Sequence, residues 1–120
     1  MRDDEFMRIA LETAWNGVKQ GEAPFGACLV KEGRVVVRVH NVARRSWDIT
    51  AHAEVQAIRD ACRMLKTLDL SDTVLYATCE PCPMCFSASV WASFPGSCTE
   101  PGSRMPSGWA SGRFRSTRPV

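Results

Sequence analysis

The stretch Cys79-Glu80-Pro81-Cys82-Pro83-Met84-Cys85, paired with Thr50-Ala51-His52-Ala53-Glu54 some thirty residues earlier, decides how the rest of the chain is read. His52, Cys82 and Cys85 make a set of one imidazole and two thiolates. Three protein ligands leave the fourth tetrahedral position of a zinc ion open for water, as in catalytic rather than structural sites. Glu54, two residues from the ligand histidine, does not face the same way once both lie in a helix, but it can reach a bound water. The spacing therefore predicts His52 at a helix start and Glu54 in its first turn, with Thr50 as N-cap. In that arrangement zinc lowers the pKa of its water and Glu54 moves the released proton to a leaving group.

Working outward, Thr73-Val74-Leu75-Tyr76-Ala77 reads as a strand leading into the cysteines, and Pro83 as the first residue of a helix reaching about Ala92. Between the motifs, Val55, Ile58, Cys62 and Leu65 recur at helical spacing over 53–66. Upstream, Phe25 to Val30 and Arg34 to Val39 form a hairpin around Lys31-Glu32-Gly33, and 41–48 is a polar loop. Met7, Leu11, Ala14 and Val18 mark the buried stripe of a first helix over 4–19, ended near Gly21. The order helix, strand, strand, helix, strand, helix predicts an α/β sandwich with a mixed sheet, in which both halves of the zinc motif sit at helix N-termini. The positive end of a helix dipole there favours thiolates.

With 120 residues the chain has room for one domain. No apolar run reaches membrane-spanning length, and Met1-Arg2-Asp3-Asp4-Glu5 is too acidic for a signal or transit peptide, so a cytoplasmic protein is expected. Of six cysteines, three crowd into 79–85 while Cys28, Cys62 and Cys98 stand apart, which favours metal over disulfides. Cys28 and Cys62 read as small buried apolar residues, Trp15 as core and Trp47 as loop packing. Residues 1–92 carry 11 Lys+Arg against 12 Asp+Glu, so the net charge of +2 belongs to the tail and does not argue for nucleic-acid binding. Within 93–120, 14 of 28 residues are Gly, Pro or Ser without apolar periodicity, a composition that predicts disorder.

His52-Ala53-Glu54 with Pro81-Cys82-Pro83-Met84-Cys85 matches the zinc deaminase pattern, in which the Glu is the proton shuttle. Residues 5–92 resemble the cytidine and deoxycytidylate deaminase superfamily, within it the bacterial guanine deaminases and then the tRNA adenosine deaminases. Pro24-Phe25-Gly26-Ala27, Cys79 within Thr78-Cys79-Glu80-Pro81-Cys82, and Val90-Trp91-Ala92 are closer to the guanine enzymes. The resemblance implies a three-layer α-β-α sandwich and hydrolysis of guanine to xanthine and ammonia, with zinc hydroxide on His52, Cys82 and Cys85 and Glu54 as acid and base. It also implies that Asn41 hydrogen-bonds the base, that Ala53 offers its backbone N–H, and that Phe25 and Trp91 wall the pocket. A small purine substrate, no membrane partner and, for the full-length family, a homodimer are expected.

Adenosine deamination in tRNA is the enzymatic alternative; a non-catalytic zinc module or an inactive deaminase fragment is the alternative of another kind. An iron–sulfur site on Cys79, Cys82 and Cys85 lacks a fourth Cys at position 89, which is Ser, and a redox Cys-x-x-Cys leaves His-x-Glu unexplained. A structural zinc with Cys79 or Cys98 as fourth thiolate is the remaining metal reading.

From Ser93 onward the resemblance stops. The family continues with a strand of the type Ile-Pro-Arg-Val-Val-Tyr-Gly-Ala, then Asp-Ala and Gly-Phe. Reading the third base of each codon with the first two of the next permits that strand in succession from Ser93 to Pro101. The same frame forces Ala at Met105-Pro106 and Gly at Trp109-Ala110. The expected organisation is thus a deaminase core over 1–92 and a tail, 93–120, that is an out-of-frame reading. The sandwich would then be C-terminally truncated, with three strands and an open sheet edge.

Overall fold

A computed structural model describes residues 3–78 and 82–93, with the backbone of 113–116. Cys79, Cys98 and most of the tail lie outside the described residues, as do the readings made of them. Helix α1 (Asp3–Lys19) begins with Asp3, Asp4 and Glu5 and ends on Lys19, charges placed to suit the helix dipole. Strands β1 (Gly26–Lys31) and β2 (Arg34–His40) form the expected antiparallel hairpin. Its turn residues Glu32 and Gly33 both have positive φ, 52° and 76°, matching the twist of a two-residue hairpin turn. A bulge between Leu29 and Val30 inserts one residue of β2, Val36, into the ladder.

Helix α2 (Ala43–Ser46) follows, then α3 (Ala53–Leu65), β3 (Thr73–Ala77), α4 (Pro83–Trp91) and β4 (Arg113–Ser116). The sheet order is β2-β1-β3-β4, with β3 antiparallel to β1 and β4 parallel to β3, so the sheet is mixed. Helix α1 covers one face, where Phe6, Cys28, Val30 and Tyr76 pack together and the Phe6 and Tyr76 rings lie 5.1 Å apart. On the other face Ala53, Ala57 and Ala61 of α3 and Phe86 of α4 pack against Ala27, Leu29, Val37, Leu75 and Ala77. The result is the three-layer α-β-α sandwich. Among the described residues no helix is long and apolar enough to cross a membrane.

Four expectations are corrected here. The buried stripe of α1 is Phe6, Ala10, Thr13, Ala14 and Gly17, so Ala14 is buried as expected while Met7, Leu11 and Val18 each fall one position beyond a buried residue. Small residues win it because α1 lies very close to β1: a Cβ at Gly26 would collide with the Ala10 carbonyl and the Ala14 amide. Leu11 and Trp15 are left exposed, so Trp15 is not core, and Trp47, 94% exposed, is not packed among the described residues. The polar loop after Asn41 contains a helical turn, α2, held by hydrogen bonds from outside it. Finally, the sheet has four strands: 113–116 pair with β3, whose open edge offers unsatisfied backbone groups to any extended segment whatever its composition.

Candidate metal centre

Both motif halves are helix starts. His52 is the N-cap residue of α3, in extended backbone at φ −70° and ψ 156°. Cys82 is the N-cap of α4, at φ −72° and ψ 169°, and its Sγ accepts the Cys85 N–H at 3.5 Å. Pro83 occupies the first helical position, where a missing N–H costs nothing. Thr50 is not the cap that the sequence suggests. It lies two residues before the true N-cap, His52, and its N–H and hydroxyl both donate to Asp48 Oδ1, at 2.8 and 2.6 Å. Those two bonds hold the Asp48 carboxyl below its ordinary range, the side-chain bond from Thr50 most of all. A local Asp-x-Thr turn competes with capping, and here it wins.

The two helix starts bring three donors together. His52 Nδ1 lies 3.6 Å from Cys82 Sγ and 3.5 Å from Cys85 Sγ, and the two sulfurs are 3.5 Å apart. Zinc with Zn–S of about 2.3 Å and Zn–N of about 2.0 Å at tetrahedral angles requires edges of about 3.5 Å for N to S and about 3.8 Å for S to S. Imidazole and thiolates are the donors zinc prefers, so the residues present fit that ion in number, type and spacing. Cys85 is fully buried and Cys82 partly exposed, which leaves the set open on one side.

Glu54 lies in the first turn of α3 and is only 4% exposed. Burial pushes its carboxyl above the usual carboxylate range, against bonds from its own N–H and from the Cys85 thiol that pull it down. Burial likewise pushes the Cys85 thiol up, and the Glu54 charge adds to it. These effects describe a carboxyl in contact with one member of the metal set and shielded from bulk water.

Asn41, at the end of β2, is buried; its N–H donates to the Phe25 carbonyl at 2.9 Å, and its Oδ1 accepts the Ala43 N–H at 2.8 Å. The next residue, Val42, donates to the Ala51 carbonyl at 3.1 Å. Asn41 and Phe25 are thereby tied to the segment leading into His52. Ala53 is fully buried as the first residue of α3, a position whose N–H has no acceptor within the helix. Trp91 ends α4, 85% exposed. His40 holds the Asn41 carbonyl through Nδ1 at 2.8 Å. One buried carboxylate escaped the sequence reading, Glu22, which is only 6% exposed. Its sole sequence signal is an acidic residue placed directly before the apolar run Ala23-Pro24-Phe25-Gly26-Ala27.

Residues 1–97 match the cytidine and deoxycytidylate deaminase zinc-binding region. The chain belongs to this family. It is 46% identical over 93 residues to guanine deaminase of Bacillus subtilis, covering 77% of the chain and 60% of that relative. It is 44% identical over 90 residues to the tRNA-specific adenosine deaminase of Aquifex aeolicus, covering 75% and 60%. The crystal structure of the Bacillus subtilis guanine deaminase superposes with a TM-score of 0.75 at 46% identity, over 77% of this chain and 59% of that one. The chain thus spans about 60% of the length of these relatives.

Proposed function

We propose that this deaminase-family chain carries the zinc-dependent core of an aminohydrolase that converts guanine and water to xanthine and ammonia. The observation that carries the reading is the meeting of His52, Cys82 and Cys85 at 3.5 to 3.6 Å, with the buried Glu54 carboxyl against Cys85. In that reading His52, Cys82 and Cys85 would hold the metal, whose chemistry when bound would be to acidify a water for attack. Glu54 would take one proton from the attacking water and give it to the ring nitrogen beside the amino-bearing carbon, then take the second from the new C–OH and give it to the amino group, which leaves as ammonia. Asn41 holds the base edge, the Ala53 N–H donates to it, and Phe25 and Trp91 wall the pocket.

Guanine is preferred over a tRNA adenosine because of Phe25 in Pro24-Phe25-Gly26-Ala27, of Cys79, and of a core with no excess of basic residues to meet phosphates. The similar identity to a tRNA-specific adenosine deaminase favours the second reading, in which the target base is unstacked into the same pocket. Ammonia release from guanine, set beside release from an anticodon stem-loop, separates the two. Turnover of the stem-loop alone removes the guanine assignment.

We also propose that the residues from about Ser93 are an out-of-frame reading of a longer deaminase C-terminus. The identity to the relatives runs over only 93 residues, and the displaced frame yields Ala and Gly where the family has them. Sequencing the gene across the Ala92 codon and weighing the native protein test this. An in-frame gene with a 13.3 kDa product refutes it.

A further inference from the structure

Glu22 lies outside the metal centre, in the turn between α1 and β1, and both of its carboxylate oxygens are engaged. Oε1 accepts the Arg44 N–H at 3.1 Å and Oε2 the Arg45 N–H at 2.8 Å, both from α2. A carboxylate 6% exposed is costly to bury unless its charge is met by strong donors, so this pairing is specific. The partners are backbone amides. The two arginine side chains go instead to the Gly21 carbonyl, at 3.1 Å, and to Gln20 Oε1, at 3.3 Å. Residues 20–22 and 44–45 are thus tied by four bonds, two of them to a buried charge.

The segment fixed in this way is the one that follows Asn41. Asn41 Oδ1 is committed to the Ala43 N–H, one residue before the first amide that Glu22 holds. With its oxygen turned towards the Ala43 N–H, the Asn41 amide points its NH2 arm away from that turn, where a ligand can meet it. Its direction is set by where Ala43 sits, and hence by the turn Glu22 anchors. We propose that Glu22 is a positioning residue for base recognition: it locks the turn 43–45 so that the Asn41 NH2 is held as a donor towards an acceptor atom of the purine. The inference rests on the reading of Asn41 as a base contact. It adds that the recognised edge carries an acceptor, and that an analogue with a donor there is rejected.

Glu22→Gln keeps the shape but removes the charge and sets an NH2 against a backbone N–H. In the zinc-loaded chain it is expected to raise KM for guanine about tenfold while kcat stays within about twofold, with zinc content unchanged. In an Asn41→Ala background the same change adds nothing, since both act through one contact. Without substrate, the Asn41 side-chain NH2 resonances move in Glu22→Gln, and in the unaltered protein the Arg44 and Arg45 amides exchange slowly. Independent, multiplicative effects of the two substitutions overturn the proposal. So do Asn41 resonances that stay put, a fall in kcat or zinc content at unchanged KM, or Arg44 and Arg45 amides that exchange as fast as an open turn. The last measurement holds even where Glu22→Gln does not fold. Unchanged KM in Asn41→Ala alone removes the base contact itself, and with it the role of Glu22.

Discussion

Removal of zinc is expected to lower the thermal midpoint of this chain by about 16 °C. The donor atoms already stand within about 0.3 Å of the edges a tetrahedral zinc site requires, so binding spends little on rearranging them. At free zinc a thousandfold above Kd, binding to the folded state alone adds about 4 kcal/mol. For a domain of this size each kcal/mol moves Tm by about 4 °C. Scanning calorimetry with zinc and with a strong chelator, with metal content measured on the same samples, reads the shift directly. Cys82→Ser and Cys85→Ser together are expected to abolish it, leaving a midpoint that no longer responds to zinc. An unmoved midpoint in the native chain, or a full shift persisting in the double variant, refutes the placement of the ion.

Glu54→Ala is expected to keep stoichiometric zinc and lose at least about a hundredfold in turnover; equal turnover would remove Glu54 from the role of proton shuttle. Leu75→Ala, at a fully buried strand position between the two helical layers, is expected to cost about 3 kcal/mol in denaturant unfolding, and a loss below about 1 kcal/mol would contradict that packing. The Cys28 thiol is buried and donates to the Phe6 carbonyl at 3.4 Å. Burial pushes it up to about 11, outweighing the charge of Arg38, so at pH 8 it carries little thiolate and should resist alkylation until the protein unfolds. Prompt labelling of Cys28 in the folded protein would show that the α1 face opens.

The metal set was legible because its chemistry is local. A His-x-Glu and a Cys-x-x-Cys each fix their own geometry at a helix start, and Pro83 marks the second start outright. The hairpin was legible because Glu32-Gly33 suits only a tight turn. Surfaces set by distance between elements were not. The face of α1 depends on how near β1 comes, which Gly26 permits and no periodicity records. Thr50 looked like a cap because nothing in the sequence ranks α3 against Asp48 as its partner. Glu22 was silent because its donors, the amides of Arg44 and Arg45, exist only once α2 has formed twenty-two residues later.

The inner face of α3 is built from Ala53, Ala57 and Ala61, one per turn, and a single methyl at each is all that separates the helix from the strands. A larger side chain at any of them would lift the whole rod, and His52 would travel with it away from the sulfurs on the neighbouring helix. Diversification of this scaffold is therefore channelled to the loops at its rim, around Phe25 and Asn41, where a change of substrate can be tried while the reacting centre stays where it is.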